Sequence, residues 1–87
     1  MAYNEMPEEG ELVVATVRQV KNFGVVVQLD EYPEVEGFLH IAEVASGWVK
    51  YIRDHVREGQ KIVCKVLGVD DRRRSKSVDL SLKAVNA

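Results

Sequence analysis

The feature that most constrains this sequence is the recurrence of apolar residues at every second position in several short runs. Alternation with a period of two puts one set of side chains on a single face of an extended strand, so each run predicts a strand with one buried face. The five predicted strands comprise residues 12–21, 25–29, 37–41, 60–69 and 78–83. A turn at residues 21–24 makes the first two a hairpin, and a basic loop at Asp71–Ser77 joins the last two.

The segment between the third and fourth strands has a different pattern. Its apolar residues Trp48, Val49, Ile52 and Val56 follow a helical spacing, so residues 42–57 predict either one helix or two short turns. Ser46 is suited to cap the start of a helix and Gly59 to end it, and Trp48 is expected to pack against the core rather than to stack on a base.

Five strands with a short helical segment between strands 3 and 4 are typical of one all-β fold class, the five-stranded oligonucleotide-binding Greek-key barrel. Closure of the sheet into a barrel removes its exposed edges and suits many short strands. A chain of 87 residues that is 46% apolar and 30% charged builds one core of this kind. We expect the domain to span residues 10–84, with tails at residues 1–9 and 85–87.

Composition also indicates the compartment. No apolar run approaches the roughly 20 residues that span a bilayer, and the acidic start lacks the basic region of a signal peptide. A single cysteine argues against a disulfide-stapled secreted domain. We therefore expect a cytoplasmic protein with no membrane partner.

The net charge of −2 hides a strong asymmetry. Residues 1–49 hold two basic side chains against nine acidic ones, whereas residues 50–76 hold nine basic side chains against four acidic ones. Such a chain presents a local basic surface to a polyanion while it stays acidic overall.

The inventory of reactive residues argues against an enzyme. Cys64 is expected to face inward, and one cysteine with two distant histidines, His40 and His55, does not make a zinc site. The glycines are isolated and form no phosphate-binding loop. We expect no catalytic residue, no metal and no cofactor.

Five blocks of sequence, taken in order, resemble the S1 RNA-binding domain over residues 10–83. The blocks are Gly10-x-x-Val13-x-x-x-Val17, Phe23-Gly24-Val25-x-Val27-x-Leu29, Gly37-Phe38-Leu39-His40-Ile41-Ala42-Glu43-Val44, Glu58-Gly59-Gln60, and Val66–Asp70 with Leu80–Lys83. Two further stretches, residues 29–33 and 43–54, are similar to the amino-terminal S1 domain in the family of alpha subunits of archaeal translation initiation factor 2.

The narrower resemblance implies a function in translation initiation. In that family the alpha subunit acts with beta and gamma subunits to bring initiator tRNA to the small ribosomal subunit, and the gamma subunit carries the GTPase. The resemblance implies RNA as a partner, whether initiator tRNA, mRNA or ribosomal RNA. It also implies that these residues are part of a longer subunit, which contacts the beta and gamma subunits through other regions.

The S1 resemblance assigns the RNA-binding face to particular residues. Phe23 takes the first aromatic position of that face, while Val26 replaces the second aromatic, which implies a smaller stacking surface and modest affinity. His40 matches the surface histidine of the family, and Asp70 matches the acidic residue that closes strand four. From the residues alone, Phe23 is equally suited to turn packing, His40 to a solvated strand position and Asp70 to a strand-end turn.

Basic residues complete the predicted interface. The family's arginine maps either to Arg74, counted from Asp70, or to Ser77, counted back from Val78, because the loop is longer than usual. The basic residues assigned to RNA are Lys65, Arg72, Arg73, Arg74 and Lys76. Arginine stacks on bases as well as pairing with phosphate, although a charged hairpin loop is often only a solvated tip.

A secondary basic surface is predicted on the crossover segment at Lys50, Arg53 and Arg57. Tyr51 stands where the related eukaryotic factor has its regulatory serine, so that phosphorylation switch is not expected here. Two other hypotheses stay open. In one, the acidic residues 30–36 with Glu43 and the helical segment dock a protein; in the other, the chain is an S1 domain of an RNA-processing assembly.

Overall fold

In the computed structural model, residues 7–45, 47, 49–72 and 75–86 are described. Five strands form a closed barrel: β1 (Leu12–Val20), β2 (Gly24–Leu29), β3 (Glu36–His40), β4 (Lys61–Arg72) and β5 (Ser75–Ser81). The order around the barrel is β1-β2-β3-β5-β4, in which β3 and β5 pair in parallel and the other neighbours pair antiparallel. The predicted all-β barrel is confirmed.

The core consists of the alternating apolar residues. In β1, Val13, Ala15 and Val17 are buried, and Val25, Val27 and Leu29 of β2 meet them from the next strand. Cys64 on β4 is also buried, as predicted, and burial raises the pKa of its thiol to about 12. The interior is filled with small and medium side chains because a five-stranded barrel has little internal volume.

The crossover segment forms two short 3-10 helices, Ile41–Glu43 and Ile52–Asp54, rather than one helix. Of the two alternatives that the sequence left open, the two short turns are therefore correct. Gly47 lies between them with φ of 85°, a left-handed conformation that interrupts a right-handed helix. Ser46 and Trp48, for which a cap and a packing role were predicted, lie outside the described residues.

The link between β4 and β5 differs from the prediction of a loop over Asp71–Ser77. The two strands continue as a hairpin, with Asp70 opposite Ser77, Asp71 opposite Lys76 and Arg72 opposite Ser75. The prediction of a seven-residue loop was therefore wrong, because strand pairing continues through the polar sequence beyond the barrel core. Arg73 and Arg74 lie outside the described residues.

The last strand also ends earlier than predicted. The alternation of apolar residues in the predicted strand 78–83 would place Ser81 on the outward face. It is instead fully buried, and its hydroxyl oxygen accepts a hydrogen bond of 3.1 Å from the Ala84 backbone N–H. A third 3-10 helix, Lys83–Asn86, follows β5 and packs beside β4. The hydroxyl is buried at low cost because this turn supplies its partner.

A polar clasp closes the outer surface where β1, β2 and β4 meet. We define the clasp as Thr16, Asp30 and Lys61. The Thr16 hydroxyl donates to Asp30 at 2.8 Å, and the Lys61 ammonium reaches the other carboxylate oxygen at 2.5 Å. These two bonds lower the pKa of the Asp30 carboxyl below its usual value, because each stabilises the charged form.

Candidate nucleic-acid interface

Two phenylalanine rings lie side by side on the outer surface of the barrel. Phe23, in the turn before β2, is 56% exposed, and its ring centroid is 6.0 Å from that of Phe38 on β3. The planes are tilted by 35°, a spacing within the range of interacting aromatic pairs. The Lys21 ammonium lies 5.7 Å from the Phe23 centroid, so a cation stands next to the rings.

Phe38 is a functional candidate that the sequence analysis did not assign. It lies directly opposite Val26 in the pairing of β2 with β3, at the point where the S1 pattern lacks its second aromatic. The smaller stacking surface expected from Val26 is therefore enlarged by a ring from the neighbouring strand. The alternation of β3 carried this signal, since it placed Phe38 and His40 together on the face opposite Leu39.

Gly24 makes room for the Phe38 ring. A Cβ atom at this position would overlap the edge of that ring and would stand 2.7 Å from the Leu39 carbonyl oxygen. The missing side chain lets the ring lie over β2 and approach Phe23. The glycine of the Phe23-Gly24 pair therefore has a packing role in this barrel, in addition to its place in the turn.

His40 is exposed at the end of β3, next to the two rings. Its Nδ1 accepts a hydrogen bond of 3.1 Å from the Ala42 N–H and so caps the first 3-10 helix, while the neighbouring Ile41 N–H donates to the Phe23 carbonyl at 2.9 Å. Because Nδ1 is the acceptor, the neutral ring carries its proton on Nε2. His40 therefore offers an N–H donor to a ligand on this face.

A cleft of about 460 Å³ opens beside these rings, between β3, β4 and β5. We call it the aromatic cleft. It is lined by Phe38, His40, Glu43, Leu67, Gly68, Asp79 and Leu80. A volume of this size is typical of sites for small organic groups such as a nucleobase.

Of the other predicted RNA-binding residues, Lys65, Asp70 and Lys76 are not among those that line this cleft. Asp70 is exposed on the hairpin, two residues beyond Gly68, and Lys76 stands on the facing strand. Lys65 is half-buried between Leu12 and Ser81 in the strand register, and it is not among the residues that line the cleft. Arg72 is the last residue of β4. The structure thus brings together Phe23 and His40, and it places Asp70, Lys76 and Arg72 along the β4–β5 hairpin.

The secondary basic surface forms a separate exposed region on the crossover segment. The Lys50 ammonium lies 5.4 Å from the ring centroid of Tyr51, which is 60% exposed, and Arg53 is 3.7 Å from the Glu58 carboxylate. Arg57, four residues after Arg53, is also exposed. None of these four cationic and aromatic groups lines the aromatic cleft.

The described residues hold no cluster of three or more His, Cys, Asp or Glu side chains that is suited to a metal ion. Within the same ranges, no helix is long and apolar enough to cross a bilayer. The side chains that line the aromatic cleft offer an aromatic ring for stacking, hydrogen-bonding groups and negative charge.

The sequence is similar to those of known proteins over most of its length. Translation initiation factor 2 subunit alpha from Thermoplasma acidophilum is 57% identical over 86 residues, which cover 99% of this chain and 33% of that protein. The same subunit from Pyrococcus furiosus is 62% identical over 81 residues, with 93% and 29% covered. The chain spans about a third of the length of these relatives.

A solved structure supports the same assignment of the fold. A chain in the a/eIF2alpha-aDim2p-rRNA complex from Pyrococcus horikoshii OT3 is similar, with a TM-score of 0.84 and 57% identity, covering 91% of this chain and 46% of that one. The sequence pattern of the S1 RNA binding domain matches residues 6–83. This chain belongs to the S1 RNA-binding domain family.

Proposed function

We propose that this chain is a noncatalytic RNA-binding module of the alpha subunit of an archaeal translation initiation factor 2. The observation that carries the proposal is the pair of adjacent rings, Phe23 and Phe38, on the outer face of an S1 barrel. Single-stranded RNA binds such barrels by stacking bases on aromatic rings while basic groups follow the phosphates. The similar chain in a complex with rRNA supports this use of the fold.

Basic side chains lie outside the aromatic cleft, beside Phe23 and in a neighbouring cleft. Lys21 lies next to Phe23, and Arg18 on β1 borders a second cleft of about 390 Å³ that includes Val26. The hairpin adds Lys76, together with Arg72, Arg73 and Arg74 of its sequence. We propose that the bases stack near Phe23 and Phe38 while these basic residues and Lys65 contact phosphates, and that Asp70 orients the hairpin.

The larger setting is part of the same proposal. We place the module, spanning residues 10–84, in a cytoplasmic factor that contacts initiator tRNA, mRNA or ribosomal RNA on the small ribosomal subunit. Contacts with beta and gamma subunits would come from the two thirds of the relatives' length that this chain does not span. Accordingly, the 87-residue chain should not co-purify with separately produced beta and gamma subunits, whereas a subunit of the relatives' full length should.

The protein-docking hypothesis depends on five acidic residues, of which Glu31, Glu34 and Glu36 are exposed and two are engaged within the barrel. Asp30 is engaged by Thr16 and Lys61 in the clasp, and Glu43 lies 4.0 Å from the Lys83 ammonium. Both carboxylates therefore have internal partners. An S1 domain of an RNA-processing assembly would use the same RNA-binding surface and differs only in its setting.

The test is a titration of the ¹⁵N-labelled chain with a single-stranded oligoribonucleotide at low salt. We expect amide shifts around Phe23, Phe38 and His40, and an affinity that falls with salt because cation contacts release counterions. Phe23→Ala should weaken binding by about 1–3 kcal/mol, the range for one stacked base.

Tyr51→Ala is the matched control, because Tyr51 is equally exposed and also has a lysine beside its ring. It should leave the affinity unchanged. Shifts confined to residues 49–57, with loss of binding in the Tyr51 variant, would move the interface to the crossover segment and overturn the proposed site.

A further inference from the structure

The aromatic cleft has an acidic side chain where an RNA-binding surface is usually basic. Asp79 is exposed on β5, and the parallel register of β3 with β5 places it opposite Phe38. On its other side it pairs with Gly68, and its Oδ2 lies 3.8 Å from the point where a Cβ of Gly68 would stand. The carboxylate thus projects into the cleft beside an aromatic ring and over a residue with no side chain.

This carboxylate has no partner within the described part of the chain. No hydrogen bond or ion pair joins it to another described residue, whereas Glu43, the other acid of the cleft, is 4.0 Å from Lys83. Asp79 is therefore the open acceptor of the cleft. An ionised carboxylate offers only acceptors, so a ligand must bring N–H or O–H donors to it.

Charge determines which part of an RNA enters. A phosphate is repelled by Asp79 and Glu43, while Lys21 and Arg18 stand outside the cleft and attract the backbone. A base, in contrast, is flat, fits a volume of about 460 Å³ and stacks on a phenyl ring. The cleft is therefore suited to a base whose polar edge carries donors.

The four bases differ in the donors that they present. The Watson–Crick edge of guanine has two adjacent donors, N1–H and the N2 amino group, which match the two oxygens of a carboxylate. Adenine and cytosine place one amino group beside an acceptor nitrogen, and uracil has one N–H between two carbonyl oxygens. A carboxylate therefore gains two charge-assisted hydrogen bonds with guanine and fewer with the other bases.

From this geometry, and resting on the proposed RNA-binding function, we propose that the aromatic cleft is a guanine-selective subsite. The base stacks on Phe38, and Asp79 accepts hydrogen bonds from N1–H and the N2 amino group. Asp79 is the specificity-determining residue, while the phosphates stay on the basic rim.

The test compares pentaribonucleotides that differ only at the central base of a uridine background. The wild-type chain is titrated with UUGUU, UUAUU, UUCUU, UUUUU and the inosine oligomer UUIUU, and the affinities are measured from amide shifts. We expect the guanine oligomer to bind about tenfold more tightly than the uridine one, the scale of a bidentate base contact. Inosine lacks the N2 amino group and should fall between them.

Asp79→Asn is the decisive variant, because it keeps the size of the side chain and replaces one acceptor by a donor. It should bind UUGUU and UUUUU with the same affinity, and its affinity for UUUUU should equal or exceed that of the wild type. Glu43→Gln is the matched control within the cleft and should keep the tenfold preference.

The outcomes separate this inference from the proposed function. If the wild-type chain binds none of the oligomers at low salt, the RNA-binding function itself fails. If it binds all five equally, or if Asp79→Asn keeps the guanine preference, the RNA-binding function stands and the assignment of Asp79 is overturned.

Discussion

The clasp and the aromatic cleft, two regions of the outer surface of the barrel, differ in whether their polar side chains have hydrogen-bond partners within the protein. In the clasp, Thr16, Asp30 and Lys61 direct their hydrogen bonds to one another and tie three strands together. In the aromatic cleft, Asp79 has no partner among the described residues, and the outer nitrogen of His40 is left available.

The difference separates stabilising from binding surfaces within one small fold. Polar groups that satisfy each other contribute to the folded state but have little left for a ligand. Polar groups without a protein partner do not destabilise the fold as long as water hydrogen-bonds to them. When a ligand displaces that water, they can hydrogen-bond to the ligand instead. Substitutions in the clasp should therefore alter stability, and substitutions in the cleft should alter binding.

The largest effect is expected at Gly24, where one substitution should reduce both stability and RNA binding. Gly24→Ala adds a methyl group that overlaps the Phe38 ring and presses on the Leu39 carbonyl. Overpacking of this kind lowers the free energy of unfolding by about 1–3 kcal/mol, and displacement of the ring should also weaken RNA binding. Urea denaturation and the oligonucleotide titration measure the two losses.

Gly68→Ala is the matched glycine control for that experiment. A Cβ at this position meets only the Asp79 carboxylate, at an ordinary contact distance of 3.8 Å. Its urea midpoint should stay close to that of the wild type. An equal loss of stability in both alanine variants would show that the Phe38 ring is not the reason for glycine at position 24.

The next effect concerns binding alone. Phe38→Ala should reduce RNA affinity by about 1–3 kcal/mol, because one stacking ring is lost. Leu12→Ala is the control on the clasp side, where Leu12 is 58% exposed and packs little. Anisotropy of a labelled oligoribonucleotide gives both affinities; equal affinities for the two variants would contradict the division between the surfaces.

A smaller effect is expected for the clasp, and it depends on pH. Because its hydrogen bonds lower the pKa of Asp30 in the folded chain, the unfolded chain binds a proton first as the pH falls. The contribution of Asp30 to stability is thus complete above its usual pKa of 3.8 and is lost as the pH falls through the lowered value.

Asp30→Asn should remove this dependence. The urea midpoint of the variant should lie below that of the wild type at pH 6, and the two should converge as the pH falls through the lowered pKa of Asp30. RNA affinity at pH 7 should not change. Parallel curves for the two proteins across the acidic range would show that the clasp carboxylate is not coupled to folding.

The smallest expected effect is a very low rate of thiol labelling at Cys64 in the folded chain. The pKa of the Cys64 thiol is raised to about 12 by burial, so the folded chain should resist thiol reagents at pH 8 and react when unfolded in urea. Since Cys64 lies opposite Val13 in the pairing of β4 with β1, its labelling rate reports opening on the clasp side. Rapid labelling of the native chain would contradict the closed barrel.

The interior of the barrel could be predicted from the sequence because burial alternates with the same period as the backbone. Val13, Ala15 and Val17 are buried as the pattern requires. The breaks in that period were not predictable. Each of two strands shifts register by one residue, between Val17 and Gln19 in β1 and between Val66 and Gly68 in β4. Such irregularities depend on the neighbouring strand, which a one-dimensional pattern does not contain.

The polar regions were predicted less well. Of the helical spacing at residues 42–57, Ile52 is buried by the second 3-10 helix and Val56 is buried just after it, so the spacing did not distinguish short turns from one helix. Ser81 is buried because a later turn caps it, and the basic sequence after Asp70 is held in strands by backbone pairing. In both places a tertiary or cross-strand partner overrides the local preference for solvent.

The candidate site could be located from the sequence but not completed. The S1 pattern pointed to Phe23 and His40, and the structure places them together. Phe38 and Asp79 belong to strands that are far apart in sequence and pair in parallel. That contact depends on how the barrel closes, so no spacing along the chain could reveal it.

The parallel pairing of β3 with β5 has a thermodynamic consequence. Phe38 and Asp79 stand on opposite sides of this junction, so a base held between them is bound only while the two strands are joined. Any ligand that binds the closed barrel alone stabilises it in proportion to RT ln(1 + [L]/Kd). A bound base would thus act as a removable crosslink, slowing hydrogen exchange at the β3–β5 amides and raising the melting temperature as the RNA concentration increases.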